Sequence, residues 1–292
     1  MSAFDRIGFL LIGGQADEAA LAHVEEMLRR GATQAHGLRI AGSDDATGVE
    51  ARWTDIQKAA RARIAATSCS LSDTTDEGAL VDTLMMARDR ELDLLIIGRR
   101  LLSSEWVNEE RFIRIARKSP CSTMVVPEYS RAHFARVLIA TDCSDHSPLT
   151  VRTGMELIQG VKEPNPQLLL LNVRSVELGY ERAGVTLAEA MRVRLDHGRR
   201  SLDELLRRID TKGLALETEI VMSLEPAAAI AEMAAVRKMD IVVVGSRGLS
   251  RPAAVLLGSV SEQVLRCCPL PVIVAKEKGE TLPLLSALIH VG

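Results

Sequence analysis

Aromatic side chains are scarce in this chain: two Trp, two Tyr and four Phe among 292 residues. Its cores must be built from Leu, Ile, Val, Ala and Met, and stacking platforms for nucleic-acid bases are not expected. Charge of one sign is not in excess either. Thirty-six Lys and Arg stand against 39 Asp and Glu, and the net charge of -3 gives neither nucleic acid nor an anionic membrane an electrostatic attraction. No apolar run approaches the length that spans a membrane, and the opening MSAFDRIGFLLIGG enters a strand pattern without a basic region or cleavage site. A cytoplasmic location is the expectation. The five cysteines, Cys69, Cys121, Cys143, Cys267 and Cys268, have neither metal-binding spacing nor the density of a disulfide scaffold. They read as small core residues, and the Cys267-Cys268 pair before Pro269 as inert. Six histidines show no H-x-x-x-H or H-E-x-x-H pattern, so no metal site made by protein ligands alone is expected.

What the chain does have is 47% hydrophobic and 26% charged residues, the balance of a globular chain of two-domain length. Apolar β-branched runs at 6–12, 35–41, 62–71, 92–97 and 122–126 alternate with helical patterns at 16–30, 49–60, 76–90 and 105–118. After a linker near 128–135 the alternation restarts. Strands are expected at 136–141, 167–173, 214–222, 241–244 and 271–275, and helices at 144–159, 187–209, 226–238 and from Gly258-Ser259 onward. Such alternation implies right-handed crossovers and a mostly parallel sheet covered on both faces. Asp93-Leu-Leu-Ile-Ile-Gly98 echoes Asp240-Ile-Val-Val-Val-Gly245, and Ser119-Pro120 echoes Cys268-Pro269. The chain thus reads as an internal repeat of about 145 residues. Domains are expected at 1–130 and 131–278, followed by an apolar tail, 279–292, that docks on its own chain or a neighbour.

The most informative stretch is Asp240 to Lys276. A buried strand ends at Gly245, and Gly248, Gly258 and Ser259 follow with the spacing G-x2-G-x9-G-S. Glycine there permits positive φ and close approach of the backbone to an anion. Ser259-Val260-Ser261-Glu262 fits the S-x-x-E capping box, which places a helix N-terminus against the glycine turn. Its free amides and positive dipole end make a phosphate cradle. Neither the P-loop pattern G-x4-G-K-[ST] nor the dinucleotide pattern G-x-G-x-x-G is present.

These residues resemble the universal stress protein family, whose nucleotide-binding members carry G-x2-G-x9-G-[ST] at the same place, followed by a closing strand such as Pro271 to Ala275. The resemblance implies an α/β fold of two tandem Rossmann-like domains of the adenine nucleotide alpha hydrolase type. Each would hold a mostly five-stranded parallel sheet with helices on both faces. It also implies an adenine nucleotide in the C-terminal domain, ATP with Mg2+ or Mn2+ on its phosphates. By the same resemblance Asp142 contacts the nucleoside, the backbone of Leu168 meets the adenine, and Thr141 and Val244 line the nucleoside pocket. The Val260 amide joins Gly245, Gly248, Gly258 and Ser259 around the phosphates. Asp142 equally suits capping of the helix that follows, alongside Ser144. Arg247 fits either a charge-assisted donor to a terminal phosphate or a solvated surface arginine. Family members pair through their fifth strands. Here 122–126 and 272–275 would meet within one chain as an internal pseudo-dimer, and a further homodimer is left open.

The two copies are unequal. In the first, Gly98-Arg99-Arg100-Leu101 puts leucine at the second glycine, Trp106-Val107-Asn108 replaces Gly-Ser, and Ile12-Gly13-Gly14 stands where the second has Asp142-Cys143-Ser144. One nucleotide site per chain is therefore expected. His146, in DCSDHS, is a candidate general base, with a surface position on a first helical turn as the plainer reading. No Walker-type lysine, arginine finger or paired acidic ligands stand out, so ATP hydrolysis is expected to be slow at most. The leading function is an ATP-binding protein of stress response or regulation. The alternative is a scaffold that binds no nucleotide, and an adenylyl-transfer enzyme lacks support because neither H-I-G-H nor S-G-G-x-D-S occurs.

Overall fold

The computed structural model describes residues 4–13, 15–41, 46–63, 67–100, 106–159, 165–176, 186–247 and 257–279. Gly248 and the tail beyond Gly279 lie outside the described residues. The chain divides into two compact units, residues 1–133 with 270–292, and residues 134–269. Unit 1 contains β1 (Arg6–Leu11), α1 (Gln15–Arg29), β2 (Gln34–Ile40), α2 (Ala46–Arg63), β3 (Ser68–Thr74), α3 (Ala79–Asp89), β4 (Leu94–Arg99), α4 (Trp106–Lys118), β5 (Ser122–Pro127) and, from the far end of the chain, β10 (Val272–Ala275). Unit 2 contains β6 (Arg136–Ala140), α5 (Ser147–Ile158), β7 (Gln167–Arg174), α6 (Leu187–Arg207), β8 (Leu216–Met222), α7 (Pro226–Val236), β9 (Ile241–Gly245) and α8 (Ser259–Cys267).

Both units are α/β, as expected. In unit 1 the strands run β3-β2-β1-β4-β5-β10, all parallel except β10. In unit 2 they run β8-β7-β6-β9, all parallel. The orders β3-β2-β1-β4 and β8-β7-β6-β9 are one topology met twice, which is what the sequence repeat requires. The repeat extends to single bonds. Asp93 accepts the Arg6 amide at 2.8 Å and Asp240 the Arg136 amide at 2.7 Å, so each aspartate that opens a buried strand holds the start of its neighbour. The central strands are apolar and buried along most of their length, as strands covered on both faces must be, whereas the flanking strand β8 is half-exposed. Gly31 closes α1 at φ +110, and the Ala32 amide reaches back to Met27 O at 3.1 Å, the reverse turn only glycine adopts without strain.

Boundaries differ from expectation by a few residues at several elements, and most at the junction of α2 and β3. Ala62 and Arg63 continue α2 rather than opening a strand, because alanine and arginine are strong helix formers, and β3 starts only at Ser68. The strands also divide six and four between the units rather than five and five. β10 pairs antiparallel with β5, Val272 opposite Val125, Ile273 opposite Met124 and Val274 opposite Thr123. Beyond it, buried Lys276 donates from Nζ to Arg117 O at 2.8 Å and Ser119 O at 3.0 Å, closing the carbonyl end of α4. Lys278 pairs with Asp93 at 2.8 Å.

Candidate functional site

In unit 2 the strand order turns back between β6 and β9, the place where the loops of an open parallel sheet diverge and leave a crevice beyond the strand ends. A cleft of about 350 Å³ lies there. Its floor is Ala140 at the end of β6 with Thr141 and Asp142 just beyond, and Val244 and Gly245 at the end of β9 with Arg247 just beyond. The start of α8 supplies Gly258, Ser259, Val260 and Ser261, and Leu171 to Ser175 come from the end of β7. Ser147 and Thr150 of α5, Arg194 of α6, and Pro226 and Ile230 of α7 complete the walls.

Hydrogen bonds fix these groups. Asp142 Oδ1 accepts from the Ser144 amide at 3.0 Å and from Ser147 Oγ at 3.2 Å. Thr141 Oγ1 accepts the Cys143 amide at 3.0 Å and donates to Ser147 Oγ at 2.8 Å. Cys143 is thereby held at φ +62, a left-handed conformation unusual for a residue with a side chain. Its thiol is pushed up to about 11 by burial, so it is neutral near pH 7 and no nucleophile. Asn172, wholly buried, donates from Nδ2 to Thr141 O at 2.7 Å and accepts from Arg174 Nε at 2.5 Å. On the opposite side the first intrahelical bond of α8 runs from the Glu262 amide to Gly258 O. The amides of Ser259, Val260 and Ser261 precede it and face the cleft end of the helix.

Of the residues expected to bind a nucleotide, Thr141, Asp142, Val244, Gly245, Arg247, Gly258, Ser259 and Val260 come together on this one cleft. Gly248 lies outside the described residues. Leu168 does not line the cleft. It is buried near the start of β7, opposite Val137 and Leu216, while Leu171 to Arg174 reach the cleft. At about 3.3 Å per residue, the three positions from Leu168 to Leu171, the first residue of β7 on the cleft, span roughly 10 Å. The signal that finds Asn172, Val173 and Arg174 is positional: crevice residues follow the carboxyl ends of strands.

Three local expectations are corrected. The N-cap of α8 is Gly258 at φ -69, ψ 150, and no side chain caps it. The Gly258 amide binds Ser246 O at 2.8 Å, which starts the helix one residue early and leaves Ser259 inside its first turn. Ser261, not Ser259, ties the helix down, donating to Gly245 O at 2.6 Å. Neither Gly245 nor Gly258 adopts positive φ; a Cβ on Gly245 would stand 3.0 Å from Thr150 Oγ1, so space is what glycine provides there. Asp142 and Ser144 do not cap α5, which begins at Ser147 after a turn held by the Asp142 carboxylate. His146 is the exposed N-cap residue of α5 and makes no cap bond.

Residues 133–276 match the sequence model of the universal stress protein family. They form a universal stress protein family domain. This part of the chain is 26% identical over 148 residues to a universal stress protein of Methanocaldococcus jannaschii, covering 49% of this chain and 83% of that one. It is 28% identical over 151 residues to one from Bacillus subtilis, covering 49% and 99%. Among solved structures, a universal stress protein from Archaeoglobus fulgidus superposes with a TM-score of 0.59 at 16% identity, over 93% of this chain and 98% of that one. A Pseudomonas aeruginosa protein of unknown function gives 0.66 at 15% identity, over 99% and 98%. These two show that the α/β fold they share with this chain extends through nearly its whole length.

Unit 1 uses the matching region differently. The loop after β1 is closed by buried Asp17, whose carboxylate accepts the amides of Ile12 at 2.7 Å and Gly13 at 2.9 Å. The first turn of α1 presses on the end of β4, where a Cβ on Gly98 would lie 2.6 Å from Ala16 O. Amides that follow the first strand of unit 1 are thus bonded to the protein's own carboxylate.

Proposed function

We propose that unit 2 binds ATP in the cleft beyond β6 and β9, and that occupancy of this site is the signal the chain contributes to a cytoplasmic stress response. The observation that carries the reading is the convergence of Asp142, Gly245, Arg247 and the Gly258 to Val260 segment on one cleft. Val244, Leu171, Val173 and Ile230 offer an apolar lining for the base, and Thr141 and Asp142 stand where the nucleoside would lie. Phosphates suit the α8 N-terminus, where free amides, the helix dipole and Arg247 all favour negative charge. Magnesium or manganese would be held mainly by the phosphates, since Asp142 is the one carboxylate among the described lining residues. Bound there, the cation neutralises phosphate charge. Hydrolysis is at most slow in this reading, because Cys143 is protonated and His146 is an exposed cap residue.

Residues 1–130 and 131–278 are read as two copies of one domain forming an internal pseudo-dimer, the first serving as structural partner. The β5–β10 register supports this. Met124 and Ile273, which pair, each lie five residues after the start of the matching Ser119-Pro120 and Cys268-Pro269 dipeptides, so the pairing has the self-complementary pattern of a two-fold contact. Calorimetric titration of MgATP into the wild type and a Gly258→Trp variant tests the nucleotide site. One ATP per chain, lost in the folded variant, is expected; no binding to the wild type would leave the scaffold reading standing.

A further inference from the structure

β7 outlasts its neighbour. Its pairing with β6 ends at Leu171 opposite Ala140, whereas its pairing with β8 runs on through Asn172, Val173 and Arg174. The last rung toward β6 is the Thr141 amide on Leu171 O at 2.9 Å. In a parallel ladder alternate residues of a strand bond to the same neighbour, so the next rung would join Val173 to Thr141 O and to the Cys143 amide. Both of those groups are engaged elsewhere. Thr141 O accepts from Asn172 Nδ2 at 2.7 Å, and the Cys143 amide is taken by Thr141 Oγ1 at 3.0 Å. A side chain thus replaces the next main-chain bond, and the two strands part where the cleft begins.

The carboxamide that does this is held on every side. Asn172 is wholly buried, and α6 closes over it where a Cβ on Gly198 would stand 3.2 Å from Ile220 and 3.3 Å from Asn172 Oδ1. Its oxygen accepts Arg174 Nε at 2.5 Å. The two ends of one side chain therefore fix two parts of the cleft. Nδ2 holds the Thr141 carbonyl, and with it the peptide that leads into Asp142. Oδ1 holds the guanidinium of Arg174, which also bonds to the Cys143 thiol. Asparagine supplies the donor and the acceptor in one plane; an ionised aspartate of the same shape offers only acceptors, and leucine offers neither.

Resting on the ATP reading above, we infer that Asn172 is a positioning residue of the nucleotide site: by diverting the Thr141 carbonyl it ends the β6–β7 ladder, opens the crevice, and orients the Asp142 and Arg174 groups that line it. Both polar ends of its carboxamide are occupied by protein. Its effect on a bound nucleotide therefore passes through Thr141 and Arg174.

Calorimetric titration of MgATP into the full chain and into Asn172→Asp, Asn172→Leu, Arg174→Met and Asn172→Leu/Arg174→Met variants tests this. Asn172→Asp keeps an acceptor for Arg174 and loses only the donor to Thr141 O, and its affinity should fall about tenfold. Isosteric and able to pair with Arg174, it keeps the test open if Asn172→Leu does not fold. Asn172→Leu already releases Arg174, so the double variant should lose less affinity than the product of the two single losses. Before any ATP is added, the NMR amide signal of Asp142, which shares a peptide with the Thr141 carbonyl, should shift in Asn172→Asp; a change in overall stability alone would leave it in place. Binding by Asn172→Asp within about twofold of wild type, or an unmoved Asp142 signal, would overturn the inference and leave the ATP site standing. Losses that multiply in full in the double variant would overturn the link to Arg174. Failure of the wild type to bind ATP would bring down the nucleotide reading itself, and the inference with it.

Discussion

His23 sits wholly buried on α1, its Nδ1 donating to Ala19 O at 2.7 Å. Burial holds its pKa down at about 4, against an ordinary 6.5. As the pH falls through that window, the unfolded chain takes up a proton that the folded chain refuses, so stability is full above about 6.5 and declines toward 4. The decline amounts to about 3 kcal/mol in all. His36, lowered by burial and by the charge of Arg90, acts in the same direction. Denaturant midpoints measured between about pH 7 and pH 4 should drop in the wild type and flatten in His23→Leu; parallel curves would show that another group is responsible. Nothing in the sequence around His23 announces this, since only the packing of α1 hides it. The site residues were legible to different degrees for similar reasons. Gly245, Gly258 and Asp142 stand at ends of elements, where a motif fixes position. Leu168 lies inside a run of four leucines, Leu168 to Leu171, in which nothing marks where the strand ends and the crevice begins.

Among the elements, the segment after β10 is tied down by several bonds. Lys276 caps α4 through two carbonyls, and Ser122 Oγ both accepts the Lys276 amide at 3.1 Å and donates to Lys276 O at 3.3 Å. Replacing the ammonium removes two bonds to a charged donor and leaves buried carbonyls without it. Lys276→Met should therefore lower stability by about 2–4 kcal/mol, with Lys276→Arg losing less. Thermal denaturation of the two variants checks the order, and a neutral Lys276→Met would mean that water satisfies the helix end. Element type was readable throughout, because buried parallel strands are continuous apolar runs and helices carry a 3.6-residue period. The partner of β10 followed from the family resemblance and not from the strand itself. Its four residues, Val-Ile-Val-Ala, suit any parallel or antiparallel neighbour, and only side chains distant in sequence, Ser122 and Arg117 among them, define the place.

At the scale of the whole molecule, unit 1 depends on both ends of the sequence. Ile273 is fully buried against Met124, and Ile273→Ala should cost about 2–4 kcal/mol from lost contacts and the cavity left behind. Hydrogen exchange should report that loss in β5 and β4, well over a hundred residues away in sequence, more than in β7 and β8 of unit 2. Deprotection confined to unit 2 would place β10 elsewhere in the cooperative scheme.

Because β10 completes the sheet that β5 begins, unit 1 cannot finish folding in the order in which it is synthesised. A ribosome that has delivered Pro127 has made five of the six strands, and the sixth follows only after the whole of unit 2 has emerged. At roughly 5–20 residues per second, the open side of β5 waits for several seconds or more, an apolar strand edge exposed in the crowded cell. Its fully buried sequence, Ser-Thr-Met-Val-Val-Pro, makes that interval the moment when a nascent chain is most open to pairing with another copy of itself.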